Sequence, residues 1–314
     1  MEGGNQSAIS GFILLGLSDQ PEQQRVLFFL FLLMYLVTGL GNLLIILAIS
    51  SDPHLHTPMY FFLSNLSLID ICFTSTTIPK MLNNHITKNR MIPYAWYLTQ
   101  VFFNIWFAGI DSILLAAMAY DRYVAICAPL HYSTIMTLKV CALLVLVSCS
   151  WAFINSLTVT VLLTRLSFYG HNEIPHFFCD LSPLLKLACS DTFINDLMVY
   201  TMGAPTVFFP FIGILISYGY IFMAVMKISG SGKQKVFSTC GSHLTVVCLF
   251  YGTIIGVYFS PTSTHAAQQD TAATVMYTVV TPMLNPFIYS LRNQDMKRAS
   301  RMLIPRKPRF IIRL

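Results

Sequence analysis

Two aspartates, Asp70 and Asp111, stand inside long apolar runs. A carboxylate there is costly and by default marks a functional site. Two carboxylates with oxygen-bearing neighbours suit a hard cation such as sodium. The alternative is that one carboxylate keeps a proton and hydrogen-bonds the other, because burial and like charge both favour the neutral acid. A second set of polar residues lies at the ends of such runs, as Asp121-Arg122-Tyr123 and as Asn285-Pro286-Phe287-Ile288-Tyr289. Pro286 removes one backbone donor and weakens its helix locally, which permits a bend that differs between two states. Of eight cysteines, Cys179 and Cys189 lie in a polar stretch and are the disulfide candidates.

The elements that hold these residues follow from composition. Of 314 residues, 55% are hydrophobic and 10% charged, with a mean hydropathy of +0.64. Soluble domains carry about 25% charged residues, so this chain cannot cover a water-facing surface. Length alone would allow roughly two soluble domains, but composition overrides that. Seven stretches reach the ~20 apolar residues that a membrane-crossing helix needs. They fall near 26–49, 58–79, 99–120, 140–162, 197–223, 237–259 and 272–291. Their runs are apolar on all sides and do not alternate, which excludes a β-barrel. No cleavable leader is read at the start, because Phe12–Leu17 is too short an apolar run.

With the N-terminus outside, 13 of the 19 Lys and Arg fall on inner segments. Positive charge favours the cytoplasmic side, so the expected fold is an all-α seven-helix membrane bundle with a cytoplasmic C-terminus. The expected organisation is an extracellular tail over 1–25, a transmembrane domain over 26–291 and a cytoplasmic tail over 292–314. The net charge of +6 is then a topology signal rather than a nucleic-acid surface. The basic cluster at 297–313 suits anionic lipid headgroups. Asn5-Gln6-Ser7 is a glycosylation sequon on the outer side. Asn65-Leu66-Ser67 also matches, but lies inside the second span.

The motifs agree with one family. Met118-Ala-Tyr-Asp121-Arg122-Tyr123-Val-Ala-Ile-Cys-Ala-Pro-Leu-His-Tyr132 closes the third span. Pro58-Met-Tyr-Phe-Phe-Leu-Ser-Asn-Leu-Ser67 opens the second. Lys235-Val-Phe-Ser-Thr-Cys240-Gly-Ser-His243-Leu enters the sixth. Pro282-Met-Leu-Asn285-Pro286-Phe-Ile-Tyr289-Ser-Leu-Arg292-Asn293 ends the seventh. In this order and at these depths the chain resembles the odorant receptors of the rhodopsin-like G-protein-coupled class. Gly41-Asn42 and Ser217-Tyr218 fit the same resemblance.

The resemblance implies a multi-pass receptor of the plasma membrane. Its partners would be a small-molecule odorant, a stimulatory olfactory-type heterotrimeric G protein and the bilayer; no nucleic acid and no organic cofactor are implied. Arg122 and the inner ends of spans three, five and six would make the G-protein contact, with Asp121, Tyr123, Tyr218, Lys235, His243, Asn285, Pro286, Tyr289 and Arg292 in the switch. Asp70 and Asp111 would face each other near Asn285, where such receptors hold sodium.

The odorant would lie between the outer halves of spans three, five, six and seven. Asn104, Ile105, Ala108, Gly109 and Ser112 share one face at helical spacing. Met202, Thr206, Val207, Tyr251, Ile255, Tyr258, Phe259, Thr274 and Thr278 are the other candidates. For each of them helix packing is the competing role, because small residues favour such interfaces. The set is mostly apolar with hydroxyls and one amide. Amine receptors of this class place an aspartate about where Asn104 stands, so a neutral lipophilic ligand is expected.

The chain departs from the family at its outer loop. The resemblance would bridge Cys179 to a cysteine at position 97 and Cys189 to one at 169, but both positions are tyrosine. Either Cys179 pairs with Cys189, if their Cα atoms approach within about 7 Å, or both stay free. In both cases the loop is expected to lose its staple to the third span, and Tyr97→Cys to raise surface delivery. His176-x-x-Cys179-Asp180 resembles a copper cluster proposed for the family, though three loop ligands do not complete a set of four. A transporter would show repeats or a path of buried charges, and a membrane enzyme would show a zinc, nucleophile or phosphate motif. Neither pattern is present.

Overall fold

The computed structural model describes residues 11–17, 20–170, 172–174, 178–227, 231–259, 272–292 and 294–303. At 231–235, 237–239, 257–259, 291, 292, 294 and 300–303 it describes the backbone alone. Asn5 and His176 lie outside the described residues.

Long helices dominate. They are α1 (Pro21–Ser51), α2 (Pro58–Thr87), α3 (Tyr94–Cys127), α4 (Leu138–Leu163), α5 (Phe193–Met226) and α6 (Ser231–Phe259). α7 covers residues 272–292, and a short α8 (Gln294–Leu303) follows it. Five of these, α1 to α5, are by themselves long and apolar enough to cross a membrane, and α6 carries a shorter apolar stretch at Cys240–Gly256. Prolines start α1 and α2 where no helical donor is needed. Thr137 caps α4 by accepting from the Val140 N–H at 3.3 Å. Both α5 and α7 contain one π-helical turn, at Val199–Gly203 and Met276–Val280. Such turns are rare and occur often at functional sites.

Leu33, Leu40 and Leu47 of α1, Leu146 of α4 and Phe209, Leu215 and Phe222 of α5 are all exposed. So wide an apolar surface has lipid as its only suitable solvent. The interior runs through the bundle from Ile45 and Phe62 past Leu114 to Phe250 and Tyr289.

A small sheet closes one end, called outer here after the charge bias. β1 (Gly11–Leu14) lies between β2 (Met91–Pro93) and β3 (Glu173–Ile174), antiparallel to the first and parallel to the second. A Cβ on Gly11 would sit 2.6 Å from the Ile92 carbonyl oxygen, so only glycine fits that strand pair. Phe12, Tyr97, Phe168, Leu163 and Cys179 form an apolar cap beneath the sheet.

Candidate functional site

The outer loop is held to α3 without a disulfide. Tyr97 is fully buried and donates from its hydroxyl to the Asp180 carbonyl at 2.7 Å. Its ring lies 5.1 Å from that of Phe12. One turn below, Gln100 accepts from the Cys179 N–H at 3.3 Å and donates to the Thr76 carbonyl of α2 at 2.5 Å. Asn104 follows after another turn and donates to the Cys179 carbonyl at 3.2 Å. Three side chains at helical spacing thus clamp Cys179-Asp180 onto α3. This corrects the expectation of an unstapled loop: Tyr97 replaces the missing cysteine with a ring and a hydrogen bond.

Both candidate disulfide cysteines are free. Cys179 is buried in the cap, whereas Cys189 is exposed, with its thiol 3.7 Å from the Tyr169 carbonyl oxygen. Their pairing, expected as one of two outcomes, is not formed, because the clamp turns Cys179 inward. Burial pushes the Cys179 thiol well above its usual range; Lys80 pulls it back and Asp180 adds to the rise.

The expected ligand face of α3 divides among several neighbours. The Asn104 amide oxygen also accepts from Thr76 at 2.8 Å and Thr77 at 3.4 Å, so this amide is committed to α2 and the loop. Ile105 packs against the outer cap, and Ala108 against the central core. Gly109 meets α4, where an added Cβ would lie 3.0 Å from the Ala152 Cβ. Ser112 looks inward. It donates to the Thr206 carbonyl at 3.1 Å and shares a 2.9 Å hydrogen bond with the Tyr251 hydroxyl. Thr206 donates to the Met202 carbonyl inside the π turn and accepts from the Trp151 indole at 2.9 Å. Tyr251 lies against Phe211, ring centroids 4.7 Å apart. Gly109, Ser112, Thr206 and Tyr251 therefore meet where α3, α5 and α6 cross, with Val207 packed on the same core.

Thr274 and Thr278 are buried on α7, and Thr278 donates to the Thr274 carbonyl at 2.8 Å. Ile255 is 43% exposed, which takes it out of the pocket. The backbone of α6 includes Tyr258 and Phe259, but their side chains lie outside the described residues. Trp151, Ala152 and Phe211 were not anticipated. Each lies on a helix apolar all round, where hydropathy does not mark the inward face.

Deeper in the bundle, Asn285 donates to the Asp70 carboxylate at 2.8 Å. Asp70, Asp111, Thr281, Phe250 and Asn285 line a cavity of about 10 Å³ between α2, α3, α6 and α7. One Asp111 oxygen and the Asn285 amide oxygen are buried with no hydrogen-bond partner. The space suits one water-sized particle, which needs about 10–15 Å³. Unpaired carboxylate and amide oxygens around it are hard ligands, so the donor set fits sodium. Among the described residues there is no group of three His, Cys, Asp or Glu able to hold a metal.

Pro286 has its consequence on α7. Lacking an N–H, it leaves the Pro282 carbonyl without its helical donor. Asn42 of α1 supplies one at 3.2 Å. Gly41 lets α1 approach: a Cβ there would sit 3.0 Å from the Pro286 ring. Ser290 donates to the Pro286 carbonyl.

At the inner end, Asp121 accepts from the Tyr132 hydroxyl at 2.8 Å. Burial, and then Asp121 itself, push that hydroxyl up, which keeps it a donor. The His243 ring lies between α3 and α5. Its Nε2 faces the Leu115 carbonyl at 3.1 Å and must donate, so its Nδ1 accepts from the Tyr218 hydroxyl at 2.8 Å. Tyr123 packs with Ile221, Val225 and Cys240, and Tyr289 is buried. Lys235 and Arg292 are described in backbone alone.

Fold and site together define a rhodopsin-like seven-helix receptor. The structure is similar to that of squid rhodopsin, with a TM-score of 0.72 over 93% of this chain and 83% of that one; at 16% identity the likeness shows the fold alone. Residues 31–307 match the olfactory receptor family model. The chain is 60% identical to olfactory receptor 1f45 of Rattus norvegicus over 97% of each chain. It is 57% identical to olfactory receptor 1F1 of Homo sapiens over 98% of each. The chain belongs to the olfactory receptor family: it is a multi-pass receptor of the plasma membrane and not an enzyme.

Proposed function

We propose that this receptor binds small, neutral, lipophilic odorants where α3, α5, α6 and α7 meet. It then activates a stimulatory olfactory-type G protein that raises cyclic AMP. The observation that carries the ligand class is the Ser112–Thr206–Tyr251 cluster: hydroxyls in an apolar surround, with no charged side chain among their hydrogen-bond partners in the described residues. Asn104, at the depth where amine receptors carry an aspartate, is neutral and already engaged. An odorant bearing one hydrogen-bonding group would exchange into this network, and a larger charge would have no counter-ion. Thr274 and Thr278 complete the proposed lining among the described side chains.

Activation requires that the odorant bind one helix packing better than another. The groups able to report the difference are the Pro282 carbonyl held by Asn42, the Tyr218–His243–Leu115 chain and the Asp121–Tyr132 bond. Arg122 stands beside the last of these on the face proposed to receive the G protein. Asp70, Asp111 and Asn285 would hold a sodium ion, which would neutralise buried negative charge. Asp111→Asn is expected to abolish sodium sensitivity of signalling; unchanged sensitivity would favour a carboxylate pair sharing a proton. The proposed orientation places Asn5 outside for glycosylation.

The test is a panel of neutral odorants applied to cells expressing this receptor, with cyclic AMP as readout. A response is expected that disappears in cells lacking the stimulatory Gα subunit. Surface-expressed receptor that answers only charged amines would overturn the ligand class, and a response that survives loss of the Gα subunit would overturn the coupling.

A further inference from the structure

Pro210 stands inside α5. Having no N–H, it leaves the Thr206 carbonyl, one turn back, without its helical donor. Thr206 is buried in the bundle, where no bulk water can serve that carbonyl. Ser112 of α3 supplies the donor at 3.1 Å. This need settles the proton order where α3, α5 and α6 cross. A serine hydroxyl has one hydrogen. With that hydrogen on the Thr206 carbonyl, the 2.9 Å contact between Ser112 and Tyr251 is a bond that Tyr251 donates. The reverse order would strand a buried acceptor, which is the costlier arrangement. The Tyr251 hydroxyl also faces the Ser112 carbonyl at 3.4 Å, again as donor. Thr206 commits its own hydrogen to the Met202 carbonyl, and the Trp151 indole donates to Thr206. All four side-chain hydrogens at the crossing therefore point at protein acceptors. The Tyr251 oxygen keeps a lone pair to which no described residue donates.

We propose that the odorant pocket selects hydrogen-bond donors, taking alcohols and phenols in preference to matched aldehydes, ketones and ethers. The inference rests on the pocket proposed above and narrows its ligand class. An alcohol donates to the Tyr251 oxygen and leaves the chain from Tyr251 through Ser112 to Thr206 intact. An aldehyde or ether can only accept. It must draw the Tyr251 hydrogen away from Ser112 or leave its own oxygen unpaired in an apolar site.

Three matched sets would be applied to cells expressing the receptor, with cyclic AMP as readout. They are 1-octanol, octanal and heptyl methyl ether; benzyl alcohol, benzaldehyde and anisole; and cyclohexylmethanol, cyclohexanecarbaldehyde and methoxycyclohexane. Within each responding set the alcohol is expected to be about tenfold more potent than its partners. Tyr251→Phe should remove that advantage by weakening the alcohol alone. Pro210→Ala returns an N–H to the Thr206 carbonyl, which frees Ser112 to donate to Tyr251 and Tyr251 to donate to the ligand. The aldehyde should then gain, and the advantage of the alcohol should fall below about threefold. Surface staining normalises each variant, and the comparison within wild type needs no variant. An aldehyde or ether as potent as its alcohol at wild type, or an advantage untouched in Tyr251→Phe or in Pro210→Ala, would overturn the donor preference and leave the odorant pocket standing. Silence of every set and of the wider neutral panel at surface-expressed receptor would overturn the pocket, and the donor preference with it.

Discussion

Tyr97→Phe tests whether hydrogen bonds and packing have taken over the work of a disulfide at the outer loop. The substitution keeps the ring against Phe12 and removes one hydroxyl, whose partner is the Asp180 carbonyl at 2.7 Å. Tyr97 is 0% exposed, so water does not reach its side of the lost bond without opening the cap. An unmade hydrogen bond of this kind costs about 1–3 kcal/mol. The clamp's other bonds, from the Cys179 N–H to Gln100 and from Asn104 to the Cys179 carbonyl, contribute about 1 kcal/mol each on the same scale. Together they approach the ~2–5 kcal/mol of a native disulfide. Tyr97→Phe should therefore lower the unfolding free energy of purified receptor by about 1–3 kcal/mol. The surface-to-total ratio in flow cytometry should fall with it. Tyr97→Ala, which also empties the ring's volume, should cost about 3–5 kcal/mol. Wild-type stability should not change with a thiol reductant, because no cysteine of the loop is paired. Tyr97→Cys removes a buried ring along with its bond, so the gain in surface delivery expected from the sequence is replaced by no gain. Tyr97→Phe behaving as wild type, or Tyr97→Cys exceeding wild type in reductant, would refute the clamp.

Cys189 should react with a maleimide at neutral pH and Cys179 should not, as read by mass spectrometry, because Cys179 is buried and its thiol is raised. A raised thiol means that the folded state holds its proton more tightly than the unfolded chain, where cysteine titrates near ~8.5. The stabilisation is present below that value and lost as pH rises through the folded one. A Cys179→Ser receptor should show a weaker loss of stability in alkali than wild type. Ser112→Ala and Tyr251→Phe should be non-additive in agonist potency, with a coupling of about 0.5–3 kcal/mol; strict additivity in a double-mutant cycle would mean that their hydrogen bond does not act in the response. Gly41→Ala places a methyl against the rigid Pro286 ring and should cost about 1–3 kcal/mol of stability, measured by thermal unfolding; a neutral result would show that α1 and α7 separate freely.

Much of this receptor was legible along the chain. Hydropathy is a sum over segments, so it marks helices without knowledge of packing, and the bias of Lys and Arg favours one orientation on the same footing. The motifs carried the family, and Asp70 and Asp111 stand out along the chain as carboxylates inside apolar runs. What failed was the assignment of faces. Ile255 stands on a helix apolar on every side, and lipid and core read alike there. Asn104 lay on the expected face of α3, but its partners, Thr76 and Cys179, lie 28 and 75 residues away. The replacement of a disulfide by Tyr97 was likewise invisible, since a tyrosine at that position reads only as a missing cysteine. The sequence by itself determined a membrane-spanning helical receptor, its family and the residues that break helical regularity. Only the tertiary structure decided which polar groups answer which. The Pro282 carbonyl left open by Pro286 is filled from Asn42, 240 residues away, because a bilayer supplies no water and the nearest neighbouring helix must provide the donor.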